Sequence, residues 1–166
     1  QLFESRNIEK IYYGIVLGKP IESSGLIDAP IAEHPTQKGT MTIHRNGKPS
    51  QTKYEVIESF PSHALVSFQL LTGRTHQIRV HAKQMGNPLA CDPLYGDGKP
   101  ILLSMIKRNY NLSKVEETET PMLARVALHA MKLHFTEPGG NEVTLEAPLP
   151  KEFRAIMQQL KKRYQN

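Results

Sequence analysis

Residues 70–96 read LLTGRTHQIRVHAKQMGNPLACDPLYG, a stretch in which the hydrophobic period changes and basic side chains crowd together. Arg74, His76, Arg79 and His81 fall within its first half, followed by Lys83. Ile78, Ala82 and Met85 recur at three or four residues, and Gly86-Asn87-Pro88 supplies a stop. That period predicts a short helix over 75–85, with Thr75 near its start. The segment before it, HALVSFQLL at 63–71, alternates instead through Leu65, Phe68 and Leu70, the pattern of a strand.

Working outward, TKYEVIE at 52–58 alternates through Tyr54 and Val56. Ser59-Phe60-Pro61-Ser62 between these two strands predicts an antiparallel hairpin. IYYGIVL at 11–17 is a β-branched and aromatic run halted by Gly18-Lys19-Pro20. Residues 20–51 read as loop, with one short strand in TMTIH. LHAMKLHF at 128–135 is a further strand with Leu128, Ala130 and Leu133 inward, and EVTLEAP is its hairpin partner across Glu137-Pro138-Gly139-Gly140. PKEFRAIMQQLKKRYQ at 150–165 sets Phe153, Ile156, Met157, Leu160 and Tyr164 on one helical face. Lys161, Lys162 and Arg163 in its last turn suit the helix dipole. Asp92–Arg125 shows no period and reads as a long loop. The expected architecture is α+β: a mixed, largely antiparallel sheet with flanking helices, one domain over 1–166.

Composition bounds the chemistry. The chain has 166 residues, a formal charge of +5 and a pI near 9.3, which suits a polyanionic partner. One cysteine excludes an internal disulfide and fits a reducing, cytoplasmic setting. No apolar run approaches the ~20 residues of a membrane-spanning helix. The first residues carry no signal-peptide pattern and no initiator Met, so the gene is expected to begin earlier.

A metal site is not expected. His76 and His81 are five residues apart, about 140° around a helix, and His129 and His134 repeat that spacing. Neither pair can face one ion, and no carboxylate or cysteine completes a ligand set. Cys91 sits beside Asp92, whose charge disfavours a thiolate. YGDGKP lacks the spacing of a nucleotide-binding loop. Anion handling remains, with backbone N–H groups after Gly73 offered at a helix start. Arg74 and Arg79 point in different directions. One can reach outward to phosphate while the other turns inward, and an inward arginine needs a carboxylate partner.

The stretch resembles the signature of the RluA-type pseudouridine synthases, which isomerise uridine in ribosomal and transfer RNA. IEKIYYGIVLGKP resembles the family's K-x-Y-x-A-x-V-x-G strand through Lys10, Tyr12, Val16 and Gly18, with Gly14 in place of Ala. NGKPSQTKYEV resembles its G-K-x-A-x-T-x-Y-x-V strand through Gly47, Lys48, Thr52, Tyr54 and Val56. LARVALHAMKLHFTEP resembles its R-x-x-L-H-A-x-x-L-x-F-x-x-P segment, and APLPKEF its closing A-P-L-P-x-D-F. The likeness covers nearly the whole chain.

Three departures stand out. Cys91-Asp92 replaces the family's Gly-Asp, and Gly98–Met122 is long for its loop. The H-R-L-D motif that carries the family's catalytic aspartate is absent from these residues, and its place lies before Gln1. Asp28, Asp92 and Asp97 do not sit in that motif. The resemblance therefore implies the C-terminal part of a pseudouridine synthase catalytic domain, N-terminally incomplete.

It also implies roles. Arg79 corresponds to the arginine that pairs with the upstream aspartate, and Tyr12 to the tyrosine that stacks on the target base. Leu128 or Leu133 is expected to wall the substrate pocket. Arg74, His76, Lys83, Lys48 and Arg45 are expected to contact RNA phosphates. The reaction needs no cofactor or metal. Two other readings remain: a non-catalytic RNA-binding remnant, and a basic protein-interaction domain whose charge is a solvated surface.

Overall fold

The computed structural model describes residues 8–111 and 118–165. Alternating side chains on β1 (Glu9–Leu17), β2 (Ser24–Asp28), β5 (Gln51–Ser59), β6 (His63–Leu70), β7 (Leu128–Thr136) and β8 (Glu142–Glu146) build a six-stranded sheet. Its order is β2-β5-β6-β1-β7-β8, and every pairing is antiparallel. β3 (Ile31–Glu33) and β4 (Met41–Ile43) form a separate hairpin. Three helices complete the described chain: α1 (Gln77–Gln84), α2 (Leu103–Ile106) and α3 (Lys151–Tyr164).

The period-two alternation of β1 and β6 gives the sheet two apolar faces. Ile15 and Leu65 point to one face, where Phe153, Ile156, Met157 and Leu160 of α3 cover them. Val16, Val66 and Phe68 point to the other, where Ile78 and Ala82 of α1 and Leu89 cover them. Gly14 lies under this second layer. A Cβ there would come within 2.6 Å of Leu89 Cδ2 and 3.1 Å of the Phe68 ring, which accounts for glycine at this point of the strand. Tyr164 closes the helical stripe at its end by stacking on Phe60, ring centroids 6.0 Å apart.

Several expectations need correction. The span 20–51 holds β2, β3 and β4 where loop with one short strand was expected. The α1 helix begins at Gln77, two residues later than expected, because His76 adopts a left-handed backbone with φ 56°. The stretch 92–125 is no aperiodic loop in its described parts: Ile101 pairs with Leu123, and both join Ile106 of α2 in the core. Residues 112–117 of that expected loop lie outside the described residues. Ala130 is exposed rather than covered, because it lines the open cleft beside its partner Tyr12.

A buried polar chain fixes α1 to the sheet. The Ala29 carbonyl can only accept, so His81 Nε2 donates to it at 2.9 Å. Nδ1 of the neutral ring then accepts from Thr52 Oγ1 at 2.8 Å, and Thr52 Oγ1 accepts from Gln77 Nε2 at 2.9 Å. Gln77 spends its remaining capacity on the Gln51 carbonyl, Thr72 Oγ1 and the Arg74 amide. Burial lowers the pKa of His81 against the opposing pull of the Ala29 hydrogen bond and Asp28, and burial also lowers that of His63. Both rings are held neutral in the fold, while the unfolded chain takes up protons below about pH 6.5. Their stabilisation is therefore full above that pH and is lost as the pH falls toward the lowered folded values. The urea midpoint is expected to be lower at pH 5.5 than at pH 7.5, and an equal or higher midpoint at pH 5.5 contradicts this assignment.

Candidate active site

The site begins where α1 begins. Ile78 and Ala82 anchor one side of the helix in the core, so Arg79 is turned toward the loop after Leu89. There its Nε donates to Asp92 Oδ2 at 2.8 Å and its Nη2 to Asp92 Oδ1 at 2.7 Å. The Asp92 side chain is fully buried, and that of Arg79 is 17% exposed. Asp92 Oδ1 also accepts the amides of Leu94 and Tyr95. Burial alone raises the Asp92 pKa, but the Arg79 fork and the two amides outweigh it and hold the carboxyl below its usual range. The hydrogen bond to Asp92 raises the Arg79 pKa still further. This pair is ionised.

The loop is shaped to present that carboxylate. Cys91 takes φ 62°, a left-handed conformation that costs a non-glycine residue roughly 1–2 kcal/mol. Glycine, which the resemblance leads one to expect at this position, would adopt that conformation without the cost. Gly96 must lack a side chain, since a Cβ would come within 2.8 Å of the Leu89 carbonyl and 3.1 Å of the Asp92 carbonyl.

Tyr95 joins three elements. Its ring lies beneath the Arg79 guanidinium, 5.0 Å from centroid to Cζ. Its hydroxyl accepts from the Met41 amide of β4 at 2.8 Å, which leaves its proton for His76 Nδ1 at 2.7 Å. His76 is thereby tied to the protein through one ring nitrogen. Burial, then the Arg79 charge, lowers its pKa.

Tyr12 sits on the same side of the sheet as α1, packed with Leu128 against the cluster that contains Ile78. It lines an open cleft of about 370 Å³ with Lys10, Ala130, Leu133, Leu145 and Ala147. Among the described residues its hydroxyl makes no hydrogen bond. The structure thus sets Leu133 in the Tyr12 cleft and Leu128 in the packed layer beside it. Arg79 shares that side of the sheet, but its hydrogen bonds and ring contact among the described residues go to Asp92 and Tyr95.

Of the basic residues, the structure brings two together. Lys48 and Arg74 line a second cleft of about 420 Å³ beside the β3–β4 hairpin, with Gly47, Gly73 and Thr75. A Cβ on Gly47 would come within 2.6 Å of the Ile31 backbone, so the chain there lies directly on β3. Arg74 Nε is tethered to the Pro49 carbonyl at 3.1 Å, and Arg45 and Lys83 are exposed. The expected row of open backbone N–H groups after Gly73 is reduced. The Gln77 side chain takes the Arg74 amide, and the Arg74 carbonyl takes the Gln77 amide.

Sequence reasoning missed Asp92 and Tyr95 as partners of Arg79. The signal available was the requirement that an inward arginine find a carboxylate, with Asp92 the next one along the chain. Among the described residues no cluster of three metal-ligating side chains occurs. No described helix is long and apolar enough to cross a membrane.

Residues 1–84 match the family model described as RNA pseudouridylate synthase. The chain is 38% identical over 159 residues to ribosomal large subunit pseudouridine synthase D of Nitrosomonas europaea, covering 95% of this chain and 42% of that protein. It is 32% identical over 160 residues to ribosomal large subunit pseudouridine synthase C of Vibrio vulnificus, covering 96% and 46%. The chain spans less than half the length of these curated relatives. Among solved structures, human RNA pseudouridylate synthase domain containing 4 superposes with a TM-score of 0.68 at 29% identity, covering 96% of this chain and 65% of that one.

Proposed function

This chain belongs to the RNA pseudouridylate synthase family, and from that premise we propose that it is the C-terminal part of a catalytic domain that converts specific uridines of ribosomal or transfer RNA to pseudouridine. The reaction breaks the N1–C1′ bond, turns the uracil and joins C5 to C1′. C5 loses a proton and N1 gains one, so no oxidant, cofactor or external group is consumed. The base must be extruded into a protein pocket to react.

The observation that carries this reading is the arginine at the start of α1. Arg79 is fixed through Nε and Nη2, and its Nη1 makes no hydrogen bond among the described residues. That free edge is the donor for an aspartate supplied by sequence before Gln1, which acts at C1′ or on the 2′ proton. The Tyr12 cleft receives the uracil, with the ring as stacking surface and the unpartnered hydroxyl available to the C5 proton. Leu133 walls the cleft and Leu128 backs it. Arg45, Lys48, Arg74, His76 and Lys83 hold the surrounding phosphates. A single buried, reduced cysteine and an RNA substrate fit a cytoplasmic setting.

Chemical mapping of pseudouridine in ribosomal and transfer RNA from cells lacking the gene tests this. Loss of a modified position, restored by the intact gene but not by an Arg79→Ala copy, is expected. An unchanged map contradicts it.

The basic residues have their own prediction. Changing Arg45, Lys48 and Arg74 together to Gln is expected to weaken RNA binding uniformly across sequences. It should also flatten the plot of log K against log salt by about 0.7–0.9 for each phosphate left without its cation. Titrations at several salt concentrations read this directly, and an unchanged slope removes the three residues from the interface.

A further inference from the structure

We propose that Asp92 and Tyr95 are positioning residues for Arg79, forming a built seat that aims its remaining edge and ties that aim to the basic hairpin. The inference rests on the synthase reading and names residues beyond Arg79 and Tyr12. An arginine has five N–H donors in a planar fork, and a carboxylate that takes Nε and Nη2 fixes both the plane and the direction of Nη1. Asp92 accepts from both, and it cannot swing, because its Oδ1 is also held by the Leu94 and Tyr95 amides. The Tyr95 ring closes the face of the guanidinium.

The seat reaches the β3–β4 hairpin through the hydroxyl and the ring of Tyr95. The Tyr95 hydroxyl is bonded to the Met41 amide of β4 and to His76, while Ile31 of β3 and Val80 of α1 pack with the Tyr95 ring. Lys48 is bound back onto Ile31 through paired backbone hydrogen bonds. Any shift of the hairpin on engaging phosphates is therefore transmitted to the ring beneath Arg79. Arg79 and the Lys48 cleft share a support, although they lie on different elements.

The test is a mutant cycle in the full-length protein, scored by single-turnover tritium release from RNA labelled at uridine C5 and by RNA affinity. Asp92→Asn keeps the shape but removes the charge and one acceptor, and the turnover step is expected to fall about a hundredfold, the scale of a misplaced catalytic group. RNA affinity should stay within threefold. Tyr95→Phe keeps the ring and removes only the hydroxyl, so it remains informative where Asp92→Asn folds poorly; a tenfold fall is expected. Residues acting only through Arg79 cost nothing further once Arg79 is gone. Adding either substitution to Arg79→Ala should therefore leave the residual rate unchanged. Wild-type rates in both single variants, or additive losses on the Arg79→Ala background, overturn the proposal while leaving the synthase reading intact. No release from the wild type overturns the synthase reading and the seat's role with it.

Discussion

Arg79→Ala, made in the full-length protein, is expected to cut pseudouridine formation to a small residual rate while RNA affinity changes by no more than a few fold. The proposed phosphate contacts Lys48 and Arg74 line the cleft beside the hairpin, whereas Arg79 is committed to Asp92. On the proposed reading the substitution removes the partner that orients the catalytic aspartate, and in the structure it leaves Asp92 buried without its counter-ion. That second effect costs stability, about 3 kcal/mol at the low end for a broken buried pair, because two amides still serve Asp92. Arg79→Lys separates the effects. Lysine restores a charge near Asp92 but cannot fill a two-pronged site or aim a third donor. Its melting temperature should recover much of the loss while turnover stays at least tenfold down. Turnover near wild type in either variant removes Arg79 from the mechanism.

Tyr12→Phe is the sharper test of the cleft. The Tyr12 hydroxyl has no hydrogen-bond partner among the described residues, so its removal leaves no orphaned group and should not move the urea midpoint. The ring, packed with Leu128 against the α1 layer, is kept. If the hydroxyl handles the C5 proton, single-turnover rates fall by about 10²-fold or more, the usual range for a positioned acid or base. RNA binding should stay unchanged. A Phe variant that turns over like the wild type leaves Tyr12 as a stacking and packing residue only.

Much of this arrangement is legible in the residues. The β-branched and aromatic run at 11–17 marks β1, alternation at 52–58 marks β5, and the change to a three-to-four period at Ile78 and Ala82 marks α1. The stripe Phe153-Ile156-Met157-Leu160 gives α3 for the same reason. What escapes is set by tertiary neighbours. β2 and β3 are short and flank Ala29-Pro30, and they exist because β5 and β4 lie alongside to pair with them. Ile101 and Leu123 are invisible as partners because a bridge between distant residues leaves no local period.

The site divides in the same way. An inward arginine's need for a carboxylate follows from elementary electrostatics, but that Asp92 meets it depends on the left-handed turn at Cys91. His76 reads as a surface cation, yet Tyr95 claims its Nδ1 from nineteen residues away. The helix start reads as an open anion site, whereas Gln77 folds back over it.

The most direct measurement is tritium release from RNA labelled at uridine C5, with these 166 residues compared against the same protein including the sequence before Gln1. Release is expected from the longer chain alone, because on the proposed reading the aspartate that acts at C1′ or on the 2′ proton lies upstream while Arg79 and Tyr12 lie here. Release from the 166-residue chain, or none from the longer one, contradicts it.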